Sequence, residues 1–231
     1  MQMNDEVITP VVKGFTWSYS RLKNFETCPK RYYHYEITKD VREPESAQII
    51  AGNALHEAFR ARVAEGKKLP LGMGQHEKLL AKLASASGEI MCEQKLGLKD
   101  DLSPSAFFGK GVWFRTVLDY VRIFPDGQTA LVIDYKTGKP ATDDTQVALC
   151  ALTLFQHVDK LQRVRTGLWF VNYDQIVHRE FERNDVFKIV DNTLPRVAAM
   201  VRARADQEYP AKPGPFCRRW CAVTSCQFHG V

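Results

Sequence analysis

With 231 residues, 45% of them hydrophobic, the chain has enough apolar material to bury a full core, and one domain is the natural count. A net charge of +5 permits nucleic-acid binding without demanding it. No internal repeat, low-complexity tract or apolar run of transmembrane length is present, and Met1 to Gly14, with Asp5, Glu6 and Pro10, does not read as a secretory signal, which excludes repeat and membrane architectures and points to a reducing cytoplasm in which disulfides are not expected.

Taken in chain order, the pattern predicts a first helix from about Ser18, a plausible N-cap, to Tyr35, then a loop at Pro44. A second helix opens at Gly52 and runs to about Glu65, with Leu55, Phe59 and Val63 as its apolar stripe and His56 beside that stripe. Lys67 to Gly74 reads as a loop, Gln75 to Ala86 as a helix and Glu89 to Leu98 as a strand. Two further strands, Val112 to Phe124 and Ala130 to Lys136, are joined through Pro125-Asp126-Gly127, a good turn sequence. Thr142 or Asp143 is placed to cap a helix from about Asp144 to Val158. Strands at Arg165 to Tyr173 and Gln175 to Glu182 form a second hairpin through Asp174, and a long helix from Asn184 or Asp185 to Asp206 is expected to break or bend at Pro195. A Pro/Gly-rich tail from Tyr209 to Pro215 then delivers a cysteine cluster. The pattern is that of an α/β core with a helical periphery.

The chemistry starts at Asp134-Tyr135-Lys136. A strand apolar on both faces is expected to be buried, and period two carries Asp134 and Lys136 to its end on one side. Phosphodiester hydrolysis gives such a pair a purpose, the carboxylate holding a divalent cation while the lysine orients water or offsets charge on the phosphate. Asp119 lies seven residues before Asp126 and Asp134 eight after it, so a hairpin sets the two carboxylates nearly opposite, ~5 Å apart. Asp119 is expected on the face of Trp113, Val117, Val121 and Ile123, where a buried charge needs a metal or a partner. The bland alternative pairs it with Arg115 on the same face. His56 completes a His/Asp/Asp set suited to Mg²⁺ or Mn²⁺, which Glu93 is placed to join.

The order Gly52-x-x-x-His56, Glu93, Asp119, Asp134-x-Lys136 and then a helix bearing Gln146 resembles the RecB-type exonuclease branch of the PD-(D/E)xK nucleases. The resemblance begins at Ser18-Tyr19-Ser20-Arg21-Leu22, continues through Phe25-x-x-Cys28-Pro29-x-x-Tyr32 and ends at Cys217, Cys221 and Cys226. It implies a restriction-endonuclease-like core with a central mixed sheet flanked by helices over about residues 50–182. His56, Asp119, Asp134 and the backbone carbonyl of Tyr135 would then hold the cation, Lys136 would assist the attacking water and Gln146 would lie near the scissile phosphate. The chain departs from that pattern at Cys150, where relatives carry tyrosine, and at Thr116, where they often carry glycine.

Cys92 and Cys150 fall in apolar or periodic stretches and read as core thiols. Cys28, Cys217, Cys221 and Cys226 lie in loop-like contexts, and four such thiols suit one metal centre, whether iron-sulfur or structural zinc. The separation of Cys28 from the other three resembles the staple of iron-sulfur RecB-type nucleases, which implies a structural 4Fe-4S cluster joining residues 15–40 to 207–231, with Zn²⁺ as the alternative. Lys30 and Arg31 beside Tyr32, Tyr33 and Tyr35, the run Arg218-Arg219-Trp220, and Arg115 are candidate nucleic-acid contacts, with at least one tyrosine expected in the core.

The function these residues imply is a divalent-metal-dependent DNA exonuclease acting on free ends without a covalent intermediate. By resemblance it is phage- or mobile-element-encoded, works in a bacterial host's cytoplasm for recombination or repair, and passes its product to a single-strand annealing or strand-exchange protein. Two alternatives are a CRISPR-adaptation-type nuclease that trims spacer precursors and a non-catalytic nucleic-acid-binding module. Polarity, strand preference and the sugar are not encoded in these motifs.

Overall fold

The computed structural model describes residues 14–42, 45–140 and 143–231, so the loop expected at Pro44 and the cap at Thr142 lie outside the described residues. The chain divides into two compact units, Glu45–Ile189 and Met1–Pro44 with Val190–Val231.

The larger unit is built on a six-stranded mixed sheet. Its strands are β1 (Glu89–Leu98), β2 (Pro104–Ala106), β3 (Phe114–Ile123), β4 (Thr129–Lys136), β5 (Arg163–Phe170) and β6 (Gln175–Glu182), in the order β2-β1-β3-β4-β5-β6. β4 and β5 pair in parallel, whereas the other neighbours are antiparallel. A parallel pair needs a crossover, which α5 (Thr145–His157) supplies. Cys150, Ala151, Leu154 and Phe155 of α5 pack on Val121, Val132, Ala130 and Val164. On the other sheet face, α3 (Ala47–Glu65) and α4 (Glu77–Ala84) bring Leu55, Phe59, Val63, Leu80 and Leu83 against Tyr120, Ile133, Tyr135 and Trp169. β4 is therefore buried on both sides, as its apolar run predicts.

Local chemistry moves several boundaries. α3 begins five residues before Gly52 because Ser46 caps it, its Oγ accepting from the backbone N–H of Ile49 at 3.2 Å, and it ends where Gly66 turns left-handed at φ 68°. Gly74–His76 forms a 3₁₀ turn ahead of α4. The helix expected at Asp144 starts at Thr145, whose N–H is held by Oδ1 of Asp143 at 3.0 Å. The second hairpin turns at Asp174, left-handed at φ 46°, as expected from its position. The edge strand β2 is not evident in the pattern, since Pro-Ser-Ala has neither alternation nor strand propensity.

Strand alternation breaks at one place. β1 and β3 pair regularly from Glu89↔Ile123 to Cys92↔Tyr120 and again from Gln94↔Leu118 to Leu98↔Phe114, but Glu93 and Asp119 between them are not paired. Glu93 is left-handed at φ 52°. Val121 and Leu118 both lie in the α5-side cluster although three residues apart, so Asp119 and Tyr120 both turn toward α3. The expectation that Asp119 shares a face with Val121 and Ile123 is thereby corrected: those two pack on the α5 side.

In the smaller unit, Ser18 caps α1 (Tyr19–Thr27), accepting from the N–H of Arg21 at 3.3 Å. The single helix expected to reach Tyr35 is instead broken at Cys28, which is extended at φ −163° and ψ 111° because Pro29 crowds the helical conformation of the residue before it. Pro29 then opens α2 (Pro29–Tyr32), followed by a π-helical turn at Tyr33–Thr38. Trp17, Leu22, Phe25 and Tyr32 are buried there, so Tyr32 is the core tyrosine. α6 (Val186–Asp206) runs unbroken through Pro195, forgoing one backbone hydrogen bond instead of ending.

Candidate active site

α3 points His56 at the gap in the β1–β3 ladder. Its Nδ1 lies 3.3 Å from Oδ1 of Asp119 and 3.8 Å from Oε1 of Glu93, and its Nε2 lies 3.1 Å from the carbonyl oxygen of Tyr135. Asp119 is anchored from β4, where the N–H of Tyr135 donates to its Oδ2 at 2.7 Å. The β3–β4 register, Tyr120↔Ile133 to Ile123↔Ala130, ends one step short of Asp119 and Asp134. The two carboxylates thus stand across from one another with the ladder opened by a side chain in place of a backbone bond.

Asp134 has its own partners. Gln146 Nε2, in the first turn of α5, donates to its Oδ1 at 2.6 Å, and Lys136 Nζ lies 2.6 Å from its Oδ2. Burial pushes the Asp134 carboxyl up to about 6, with Lys136 opposing the rise and Asp119 adding to it. Lys136 remains one-third exposed, so its ammonium reaches from a buried carboxylate to solvent.

His56 has acceptors at both ring nitrogens, an arrangement suited to the imidazolium. Burial alone would lower its pKa, but the hydrogen bonds of Asp119 and Glu93 override that and push it up to about 10. A proton held so tightly measures the negative field that three carboxylates make at this point. One imidazole nitrogen, two carboxylates within 4.8 Å of each other and of it, and an adjacent carbonyl form a mostly oxygen donor set, and they fit a hard divalent cation such as Mg²⁺ or Mn²⁺. Within this set Glu93 gathers with His56 and Asp119, while Asp134 is held to Gln146 and Lys136.

The remaining expected residues lie elsewhere. Arg115 does not pair with Asp119; its guanidinium lies over the rings of Phe107 and Phe108. Those two rings are the contact that pattern reading missed, and the only signal for them was an aromatic pair in a loop of small and polar residues. Cys150 is buried in the α5-side core and burial pushes its thiol up to about 12; Cys92 packs at the α3 side. In the smaller unit, Cys28, Cys217, Cys221 and Cys226 line one cavity of about 280 Å³ together with Lys30 and Arg31. Arg31 lies 4.6 Å over the ring of Tyr35 and donates to Asn24, and Trp220 is exposed.

A D-x-K strand end, a facing aspartate and a helix-borne histidine on a mixed sheet between helices define the class: an α/β nuclease. The family model described as the PD-(D/E)XK nuclease superfamily matches residues 16–227, and the chain belongs to that superfamily. In fold it is similar to a crystal structure of a candidate exonuclease from Eubacterium rectale, at 13% identity and TM-score 0.49 with 92% of this chain and 90% of that one covered. It is also similar to the structure of SSO0001, at 14% identity and TM-score 0.42 with 98% and 88% covered. No curated protein matches it in sequence. Among the described residues no helix is long and apolar enough to cross a membrane.

Proposed function

We propose that this chain is a divalent-metal-dependent DNA exonuclease of the RecB type that hydrolyses phosphodiester bonds at linear ends. The observation that carries the reading is the meeting of His56, Glu93 and Asp119 within 4.8 Å, one strand position from an Asp134 held by both Lys136 and Gln146.

His56, Glu93, Asp119 and the carbonyl of Tyr135 would hold the cation, with the third carboxylate, Asp134, beside them. A bound Mg²⁺ or Mn²⁺ lowers the pKa of water and stabilises charge on the phosphate. Gln146 donates to Oδ1 of Asp134 and the Lys136 ammonium lies against its Oδ2 as an ion pair, so that carboxylate is oriented before substrate arrives. The Lys136 ammonium, at the solvent edge, orients the attacking water and offsets negative charge as the new P–O bond forms and the bond to the leaving oxygen breaks.

For the smaller unit we read a structural 4Fe-4S cluster on Cys28, Cys217, Cys221 and Cys226, supported by the cavity they share. A 4Fe-4S cluster and a single zinc both accept four thiolates, and the cluster is preferred here on the resemblance of the cysteine order and on thiolate-only ligation. The cellular setting in this reading is end processing for a strand-annealing or strand-exchange protein in a bacterial cytoplasm, and it rests on the resemblance of the motif order alone.

The test is Asp134→Ala. Loss of metal-dependent digestion with DNA binding retained supports the assignment; digestion at the wild-type rate rejects the site.

A further inference from the structure

Arg115 is held in an unusual way. Most arginines of the larger unit have oxygen partners: Arg60 and Arg62 meet glutamates, Arg163, Arg165 and Arg179 meet carboxylates on or beside the sheet edge, and Arg183 meets backbone carbonyls. Arg115 has rings, with its guanidinium carbon 5.5 Å from the Phe107 centroid and 5.1 Å from that of Phe108. Its Nε is buried without a hydrogen-bond partner. Aromatic faces position a guanidinium without engaging its terminal N–H groups, which leaves those to meet an anion while Nε stays buried.

Its place on the strand gives that anion an identity. Arg115, Val117 and Asp119 are spaced two apart on β3, so they lie on one side of it, and four residues of rise put Arg115 about 13 Å from Asp119 along the strand. On that same side the register places Lys95 beside Val117 and Gly97 beside Arg115. Lys95 is exposed, which sets a second cation between the cation-binding carboxylates and the two rings, while Gly97 is buried, with Cγ2 of Val112 2.7 Å from where a side chain would start. Phe108 is 77% exposed, too open to be explained as core packing. A cation within reach of a phosphate and an open ring at a base's distance are the two elements of single-strand recognition.

We infer that Phe108 and Arg115, with Phe107 behind them, form a platform that holds an unpaired DNA strand a few nucleotides from the cleaved bond, making single-stranded ends the preferred substrate. The inference rests on the nuclease reading for the identity of its ligand. Phe108 stacks on a base, and Arg115 meets a backbone phosphate. A duplex end presents stacked bases with no free face toward Phe108, so the platform discriminates against it.

Arg122 supplies a matched control. It too lies over a ring, that of Phe124 at 3.9 Å, and its Nε is buried without a partner, but it sits on the other side of Asp119, near the β3–β4 turn. The experiment measures fluorescence anisotropy of labelled oligothymidylate and of a blunt duplex in EDTA for wild type, Phe108→Ala, Phe108→Trp, Arg115→Gln and Arg122→Gln, followed by digestion kinetics with Mg²⁺. Losing the stack or the phosphate contact is expected to weaken single-strand binding roughly tenfold. Duplex binding should change less than about twofold, Phe108→Trp and Arg122→Gln should bind as wild type, and digestion should show a raised KM with little change in kcat. Equal losses on both DNAs, or wild-type single-strand affinity in Phe108→Ala and Arg115→Gln, would overturn the platform. Because binding is read without metal, an inactive wild type that shows the expected binding pattern refutes the nuclease reading and leaves the platform standing. Normal digestion with unaltered binding in the variants does the reverse.

Discussion

Nδ1 of His56 lies 3.3 Å from Oδ1 of Asp119, across a gap in the sheet ladder that Glu93 opens by turning left-handed at φ 52°. A helix and a break in strand pairing thus converge on one point, and the consequences are measurable with and without a metal.

In metal-free protein, the carboxylates around His56 hold it protonated, its pKa pushed up to about 10 against the opposing effect of burial. A raised histidine pKa gives stability that is complete below the unfolded value of ~6.5 and is lost as pH climbs through 10. In EDTA the melting temperature should therefore fall from pH 7 to pH 10, and His56→Asn should lack that component of the fall. An unchanged pH slope in the variant would refute the assignment.

A divalent cation must displace that proton. Calorimetric titration of Mg²⁺ or Mn²⁺ near pH 7.5, in buffers of different ionisation enthalpy, should show about one proton released per ion bound, with affinity rising as pH rises. His56→Asn should abolish the release. Metal binding with no proton release in the wild type would contradict the ligand set.

Glu93 carries both a charge and a strained backbone. Glu93→Gly and Glu93→Gln both remove the carboxylate, and each should weaken metal binding about tenfold or more. They differ in the backbone, since glycine adopts positive φ without the penalty, so Glu93→Gly should be more stable than Glu93→Gln by roughly 1 kcal/mol in denaturant unfolding. Equal stabilities would show that the strand break does not depend on that conformation.

Asp134 is a case of function set against stability. Burial raises its pKa to about 6, so the buried carboxylate costs stability that is absent at low pH and grows as pH rises from ~3.8 through 6. Asp134→Asn should raise the melting temperature above pH 7 by about 3 °C, corresponding to roughly 1 kcal/mol in a chain of this size, while abolishing hydrolysis. A destabilised variant would mean that the ion pair with Lys136 outweighs desolvation.

The four cysteines of the smaller unit make a separate prediction. Protein purified without oxygen should be brown, and Cys221→Ala should lose colour and iron, whereas Cys150→Ala, in the α5-side core, should keep both. Colourless wild type with one zinc per chain would favour zinc.

Much of this site was legible in the sequence because its spacing is local. Pro125-Asp126-Gly127 fixes a turn, and counting along its two arms places Asp119 across from Asp134 without any knowledge of tertiary structure. The apolar run before Asp134 announced a strand buried on both sides. Glu93 was harder, since its importance lies in a positive φ at a residue that gives no sign of it, and the same conformation invalidated the alternation that put Asp119 with Val121. The break at Cys28 had a signal in Pro29, outweighed by the helical pattern on either side. Phe107 and Phe108 could not be connected to Arg115 because the link runs through the β1–β3 and β1–β2 registers, which no local pattern states.

The most direct test of the central claim is digestion of linear DNA labelled separately at its 5′ and 3′ ends, by wild type and Asp134→Ala, with Mg²⁺, Mn²⁺ or EDTA. We expect wild type to release one end label ahead of the other only with a divalent cation, and Asp134→Ala to release neither while still binding the DNA. Label release in EDTA, or equal release by the variant, would contradict a metal-dependent nuclease centred on His56, Glu93, Asp119 and Asp134.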